Sequence, residues 1–204
     1  MKRPGTWAAL VLAAGASRRF GGDKLSAPLD GEPLLFHAIR AARAAPVARV
    51  LVVARPGLDC GVWPEGPPVE VLRIDSHALS ESLNAGIAAL DEAEQVFVFL
   101  GDMPRVPHGT ASQLASAIGG GIAALPRHGG RPGHPALLSS RLFPEIAALT
   151  GDQGAGRLLR DRLRLGLDDV VFVESDDAAI HLDIDRPEDL SALTSRPVRP
   201  SPGT

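Results

Sequence analysis

Tyrosine is absent from this sequence, and lysine and cysteine are scarce. Only Lys2 and Lys24 are lysines among 21 cations, so a lysine inside a glycine-rich loop runs against the chain's own preference for arginine. Cys60 stands alone, which excludes a disulfide framework within the chain and fits a reducing compartment, the cytoplasm. Six histidines and one cysteine show no zinc-type spacing. No apolar run approaches the roughly 20 residues of a membrane-spanning helix, so no membrane partner is expected. A net charge of −3 supplies no chain-wide basic field, which argues against nucleic acid. There is no internal repeat.

What is present suits one globular domain: 204 residues, 45% hydrophobic and 22% charged. Apolar runs at 7–12, 48–54, 69–74, 95–100, 121–125, 169–173 and 180–184 read as strands, with a short one after His134. Segments 33–45, 80–90, 109–118, 140–149, 153–164 and 187–194 read as helices. Pro33 suits a first helical turn, and Ser80 is the expected N-cap of the second helix. Stretches 55–68 and 126–133 read as loops. Alternating strands and helices imply an α/β fold, a mostly parallel sheet covered on both faces, with its site at the carboxyl ends of the strands. The expected domain covers 1–194, and the proline-rich tail 195–204 is expected to be disordered.

The segment Ala8–Leu29 carries the chemistry. Lys2 and Arg3 before an apolar run closing on Ala14-Gly15-Ala16 have the layout of a secretory leader. Cleavage there removes the strand the sheet needs first, so that reading is set aside. A loop of glycines and cations after a strand suits phosphate held by backbone N–H groups. It is not a dinucleotide fingerprint, because only Gly15 stands near the strand end. It is not a Walker A loop, because Lys24 lies between Asp23 and Leu25. The plain alternative is a flexible surface loop with a stray lysine.

Leu12-Ala13-Ala14-Gly15-Ala16-Ser17-Arg18-Arg19-Phe20-Gly21-Gly22-Asp23-Lys24 resembles the signature L-A-A-G-x-S-x-R-x-G-x-x-K of the MobA-like nucleotidyltransferases, and within them the molybdenum cofactor cytidylyltransferase branch. Further stretches resemble the same family in the same order: Ala78–Gly86, Leu100-Gly101-Asp102-Met103-Pro104, Gly133-His134-Pro135, Gly151–Ala155 and Asp183–Leu190. The resemblance covers about residues 7–190. It departs at Ala78 (usually glycine), Arg186 (usually threonine) and Gly156, which separates Ala155 from Arg157.

The resemblance implies a three-layer, Rossmann-like fold with a mixed sheet, and transfer of CMP from CTP to the phosphate of molybdopterin, with Mg²⁺. Arg19 and Lys24 are the expected catalytic cations. Leu12, Ala13, Ala14, Gly15, Asp75, Ser80, Ser82 and Asp102 join them around the nucleotide. Ala13 and Ala14 leave less room for a purine than the Ala-Gly-Gly of relatives that use GTP, which favours CTP. Asp102 with Asp185, or alternatively Asp183, is the expected metal pair; alternation along a strand places both of the latter on one face. His134 and Asp152 fall on the acceptor side. His77, His108 and His128 get no functional role. A molybdoenzyme or its maturation chaperone is a conceivable partner. Two other readings stay open: a guanylyltransferase or other nucleotidyltransferase with a different phosphorylated acceptor, and a cofactor carrier without turnover.

Overall fold

A computed structural model describes residues 7–15 and 20–194. Strand β1, Trp7–Ala13, is buried on both faces, as a central strand of a covered sheet must be. It pairs in parallel with β4, Arg49–Ala54, on one side and β6, Gln95–Leu100, on the other. The whole sheet runs β10-β7-β9-β6-β1-β4-β5, where β5 is Val69–Arg73, β7 Ala123–His128, β9 Ala136–Ser139 and β10 Val170–Glu174. β9 enters antiparallel between β6 and β7, which makes the sheet mixed. The predicted α/β architecture is the one observed.

Alternation along β1 sends Ala9, Val11 and Ala13 into one apolar layer and Ala8 and Leu10 into the other. Helix α1, Leu34–Arg43, covers the first face with a stripe of Leu34, Leu35, Ala38, Ile39, Ala41 and Ala42. α3, Thr110–Ala117, lies in the same layer. The second face is covered by α2, Leu79–Ala88, with α4, Phe143–Ala147, and α5, Ala155–Arg164. Fully burying a leucine such as Leu10 or Leu83 contributes about 1.5–3 kcal/mol. Gly86, a poor helix former, has a packing reason: a Cβ there would lie 2.5 Å from Leu10 Cδ1, so α2 reaches the sheet only because the side chain is missing. Among the described residues no helix is long and apolar enough to cross a membrane.

Several local expectations are corrected. Ala78, not Ser80, is the N-cap of α2; Ser80 is already helical, and its N–H donates to the Gly151 carbonyl at 3.1 Å. Pro33 stands at the start of α1 as its N-cap rather than inside its first turn. It belongs to β3, Glu32–Pro33, paired with β2, Pro28–Leu29, in a hairpin missed from the sequence. Its turn residues Asp30 and Gly31 both have positive φ, 52° and 87°, as a type I′ Asp-Gly turn requires. The 126–133 loop contains the end of β7 paired with β8, Arg131–Pro132. The helix expected at 140–149 is a 3₁₀ turn, Ser140–Leu142, followed by the short α4. The strand expected at 180–184 is absent. A 3₁₀ turn, Ala178–His181, leads into irregular chain before α6, Pro187–Thr194. The expected tail 195–204 lies outside the described residues.

Candidate active site

Lys24 opens a 3₁₀ turn, Lys24–Ser26, whose cap is Asp23. The Asp23 carboxylate accepts the Ser26 hydroxyl at 2.6 Å and lies 2.5 Å from Arg55 Nη2 at the end of β4. Burial pushes the Asp23 carboxyl up, but hydrogen bonds from Arg55 and Ser26 outweigh it and hold the group below its usual range. The turn is thereby tied to the sheet, and Lys24 points inward with only 7% of its surface exposed.

Its partners come from two other segments. Asp102 follows β6 through Gly101, whose N–H donates to the Leu12 carbonyl at 2.9 Å. A Cβ at Gly101 would stand 3.0 Å from that same oxygen, so glycine lets the ends of β6 and β1 lie together. Lys24 Nζ donates to Asp102 Oδ2 at 2.8 Å and lies 3.5 Å from Asp185 Oδ1. Asp185 arrives through the backbone: the buried Ile184 donates its N–H to the Asp102 carbonyl at 3.0 Å. The Asp189 carboxylate accepts the N–H groups of Asp185 and Arg186 at 2.9 and 2.8 Å, which holds that carboxyl below its usual range and fixes the chain entering α6. The two carboxylates therefore converge on one cation. Asp183 is exposed and residues 182–185 form no strand, so the expectation that it shares a strand face with Asp185 is corrected.

Around Lys24 is a cleft of about 510 Å³ at the carboxyl ends of β1 and β6. Leu12, Ala14, Gly15, Ser82, Asp102, Asp152 and Asp185 line it. Ser82 donates its hydroxyl to Ser76 Oγ at 2.9 Å, and Ser76 donates to the Ala78 carbonyl at 2.8 Å, which orders the loop forming one wall. A second cleft, about 770 Å³, adjoins it and shares Leu12, Leu79, Leu100 and Asp152. His134 lines this one. Of the other predicted residues, Ala13 is buried in the core, Ser80 is buried beside the cleft without lining it, and Asp75 is exposed and lines neither cleft. Arg19 lies outside the described residues. The sequence reading named none of Ser76, His77, Leu79, Gly151, Arg157 and Arg160 as lining residues, although Leu79 and Gly151 stand inside motif stretches and Arg157 is a displaced motif position.

Asp102 and Asp185 offer hard oxygen donors within reach of one cation. Among the described residues no group of three or more His, Cys, Asp or Glu side chains could hold a metal. Two carboxylates suit an ion of the Mg²⁺ type, which keeps waters and takes phosphate oxygens for its remaining positions.

His134 sits where Gly133 must be glycine: a Cβ at Gly133 would lie 2.5 Å from the Ile180 carbonyl oxygen, to which His134 donates its N–H at 2.9 Å. Its Nδ1 is buried with no hydrogen-bond partner among the described residues. Burial pushes the imidazole below its ordinary value, only partly offset by a hydrogen bond with the Val98 backbone and by the charges of Asp102 and Asp183. The folded state thus resists protonating this ring while the unfolded chain accepts a proton near the ordinary 6.5. Stability must fall as pH drops below that value, because the unfolded state then binds more protons. Between about pH 7.5 and 5.5 the wild type is expected to lose on the order of 1 kcal/mol more than His134→Gln, measured by urea unfolding at both pH values. Equal losses would contradict the neutral, buried assignment.

Residues 9–170 match the MobA-like NTP transferase domain. The purine catabolism protein PucB of Bacillus subtilis is 30% identical over 88% of this chain and 92% of its own. The molybdenum cofactor cytidylyltransferase of Escherichia coli is 28% identical over 92% of this chain and 95% of its own. Among solved structures, the homologue of Mycobacterium tuberculosis Rv0371c from Mycobacterium sp. strain JC1 superposes with a TM-score of 0.79 at 28% identity, over 95% of this chain and 96% of that one. Rv0371c itself, in a complex with manganese, superposes at 0.75 with 24% identity over 93% of this chain and 98% of that one.

Proposed function

The chain belongs to the MobA-like NTP transferase family and is a nucleotidyltransferase, and on that premise we propose that it transfers CMP from CTP to the terminal phosphate of molybdopterin, releasing pyrophosphate. The observation that carries this reading is the pair of joined clefts, with Lys24 and its two carboxylates in the smaller one. A nucleotide and an acceptor need two compartments that meet at the reacting phosphorus.

In this reading the backbone of Ala14 and Gly15 receives the nucleotide. Lys24, with Arg19, neutralises triphosphate oxygens and stabilises the extra charge as the α-phosphorus becomes five-coordinate. Asp102 and Asp185 would hold a divalent ion, Mg²⁺ or the manganese found with Rv0371c, which would supply Lewis-acid stabilisation of the phosphate charge. No general base is needed, since a phosphate monoester is already largely ionised near neutral pH. His134 gives the acceptor side an uncharged wall, and Asp152 stands where the two clefts meet.

CTP is favoured by Ala14 at the cleft wall, whose side chain would crowd the base more than a glycine would. The likeness to PucB keeps a second acceptor in view, because that relative's name points to purine breakdown rather than to a molybdenum cofactor. Pyrophosphate release with Mg²⁺ and molybdopterin tests the reading: CTP should support turnover at least about tenfold better than GTP. Preference for GTP would overturn the base assignment, and release only with another acceptor would overturn molybdopterin.

A further inference from the structure

We propose that Arg55 is a positioning residue of the triphosphate site: it holds the Asp23 carboxylate and cancels its charge, so that the neighbouring Lys24 can act on phosphate. This rests on the reading of the smaller cleft as the place of the nucleotide's phosphates. Residues 20–26 contain one acid, Asp23, and one base, Lys24, so the segment's own charges cancel. Lys24 already meets Asp102 and Asp185, and a further free carboxylate one residue away would repel the anion the turn has to receive. The cation that answers Asp23 comes from another strand.

Arg55 follows β4, whose last residue Ala54 lies in register with Ala13 of β1. It therefore leaves the sheet at the edge where Ala14 and Gly15 line the cleft. Its backbone is clasped from β5: Arg73 Nη1 donates to the carbonyls of Arg55 and Leu58 at 2.9 and 2.6 Å. Gly57, with φ 78°, makes the bend between them, and the buried Leu58 pins it to the core. From this base the guanidinium reaches Asp23, with Nη2 2.5 Å from Oδ1. The other carboxylate oxygen, Oδ2, accepts the Ser26 hydroxyl at 2.6 Å, so both oxygens are engaged. Burial alone would raise this carboxyl, but Arg55 and Ser26 hold it below its usual range, so Asp23 is ionised and its charge needs an answer. The two side chains keep 32% and 41% of their surface, and an ion pair that open contributes little to stability. Its effect falls on the charge of the turn that carries Lys24.

Inorganic tripolyphosphate with Mg²⁺ is the probe, since it carries the phosphate chain without a base. Titrated calorimetrically into the full chain, it should bind the wild type, and Arg55→Ala should weaken it about tenfold. Arg55→Gln keeps a donor for Asp23 without the charge and should weaken it to a similar degree. Arg55→Ala/Asp23→Asn should return to within about threefold of wild type, because asparagine keeps an acceptor for Ser26 and removes the charge that Arg55 answers. A tie that was only structural would leave this double variant as weak as Arg55→Ala. No binding to the wild type, wild-type affinity in either single variant, or a double variant no tighter than Arg55→Ala would each overturn the proposal. The titration uses neither base nor acceptor, so a preference for GTP or for an acceptor other than molybdopterin would defeat the functional reading alone.

Discussion

Lys24→Ala is expected to lower kcat/KM about a thousandfold, a loss of about 4 kcal/mol of transition-state stabilisation, while the protein stays folded. The size follows from placement. Lys24 is 7% exposed and its ammonium donates to Asp102 at 2.8 Å, so the cation is pre-oriented and poorly screened, the setting in which a fixed charge acts most strongly on developing phosphate charge. The fold should survive because the carboxylates left behind are not sealed: the Asp102 and Asp185 side chains keep 27% and 46% of their surface, and water can take over from the ammonium. Lys24→Arg should not restore the rate, since a planar guanidinium does not fit a space shaped for a compact ammonium. Steady-state kinetics with a thermal melt beside them check both halves. A variant within about threefold of wild type would remove Lys24 from the chemistry.

Asp102→Asn is expected to cost a similar amount, about 100- to 1000-fold in kcat/KM, for a different reason. Asparagine keeps the shape and an acceptor oxygen for Lys24 but removes the charge that a divalent ion requires. The distinguishing readout is stabilisation by ligand. CTP with Mg²⁺ should stabilise the wild type by about 2.7 kcal/mol at a hundredfold excess over Kd, and the increment that depends on the metal should vanish in Asp102→Asn. Because Lys24 and Asp102 touch, their losses should not add: the double variant should sit near the worse single. Additive losses would mean that the two side chains act on separate steps.

Much of the site was legible because its chemistry is local. Lys24, Asp102 and Ala14-Gly15 each follow a strongly apolar strand or sit a fixed distance from one, and strand ends on a parallel sheet fall at one edge. The irregular course of the chain at 180–185 was not legible. Ile180, Leu182 and Ile184 alternate as a strand does, yet their backbone bonds go to His134, Ala179 and Asp102 rather than to a ladder. Period-2 burial reports which side chains point inward, not whether a neighbouring strand exists. The hairpin at 28–33 was announced by Asp30-Gly31, but two-residue strands carry no periodicity. The larger cleft was least visible, since its walls come from strands across the sheet together with α2 and α5, which only folding brings to one place.

The account's central claim is the transfer itself. CTP labelled at its α-phosphorus, incubated with Mg²⁺, molybdopterin and the full chain, should place the label in a molybdopterin–cytosine dinucleotide and release unlabelled pyrophosphate, with both products formed about a thousandfold more slowly by Lys24→Ala. Label that stays in CTP with the wild type, while labelled GTP or ATP is transferred under the same conditions, would contradict it.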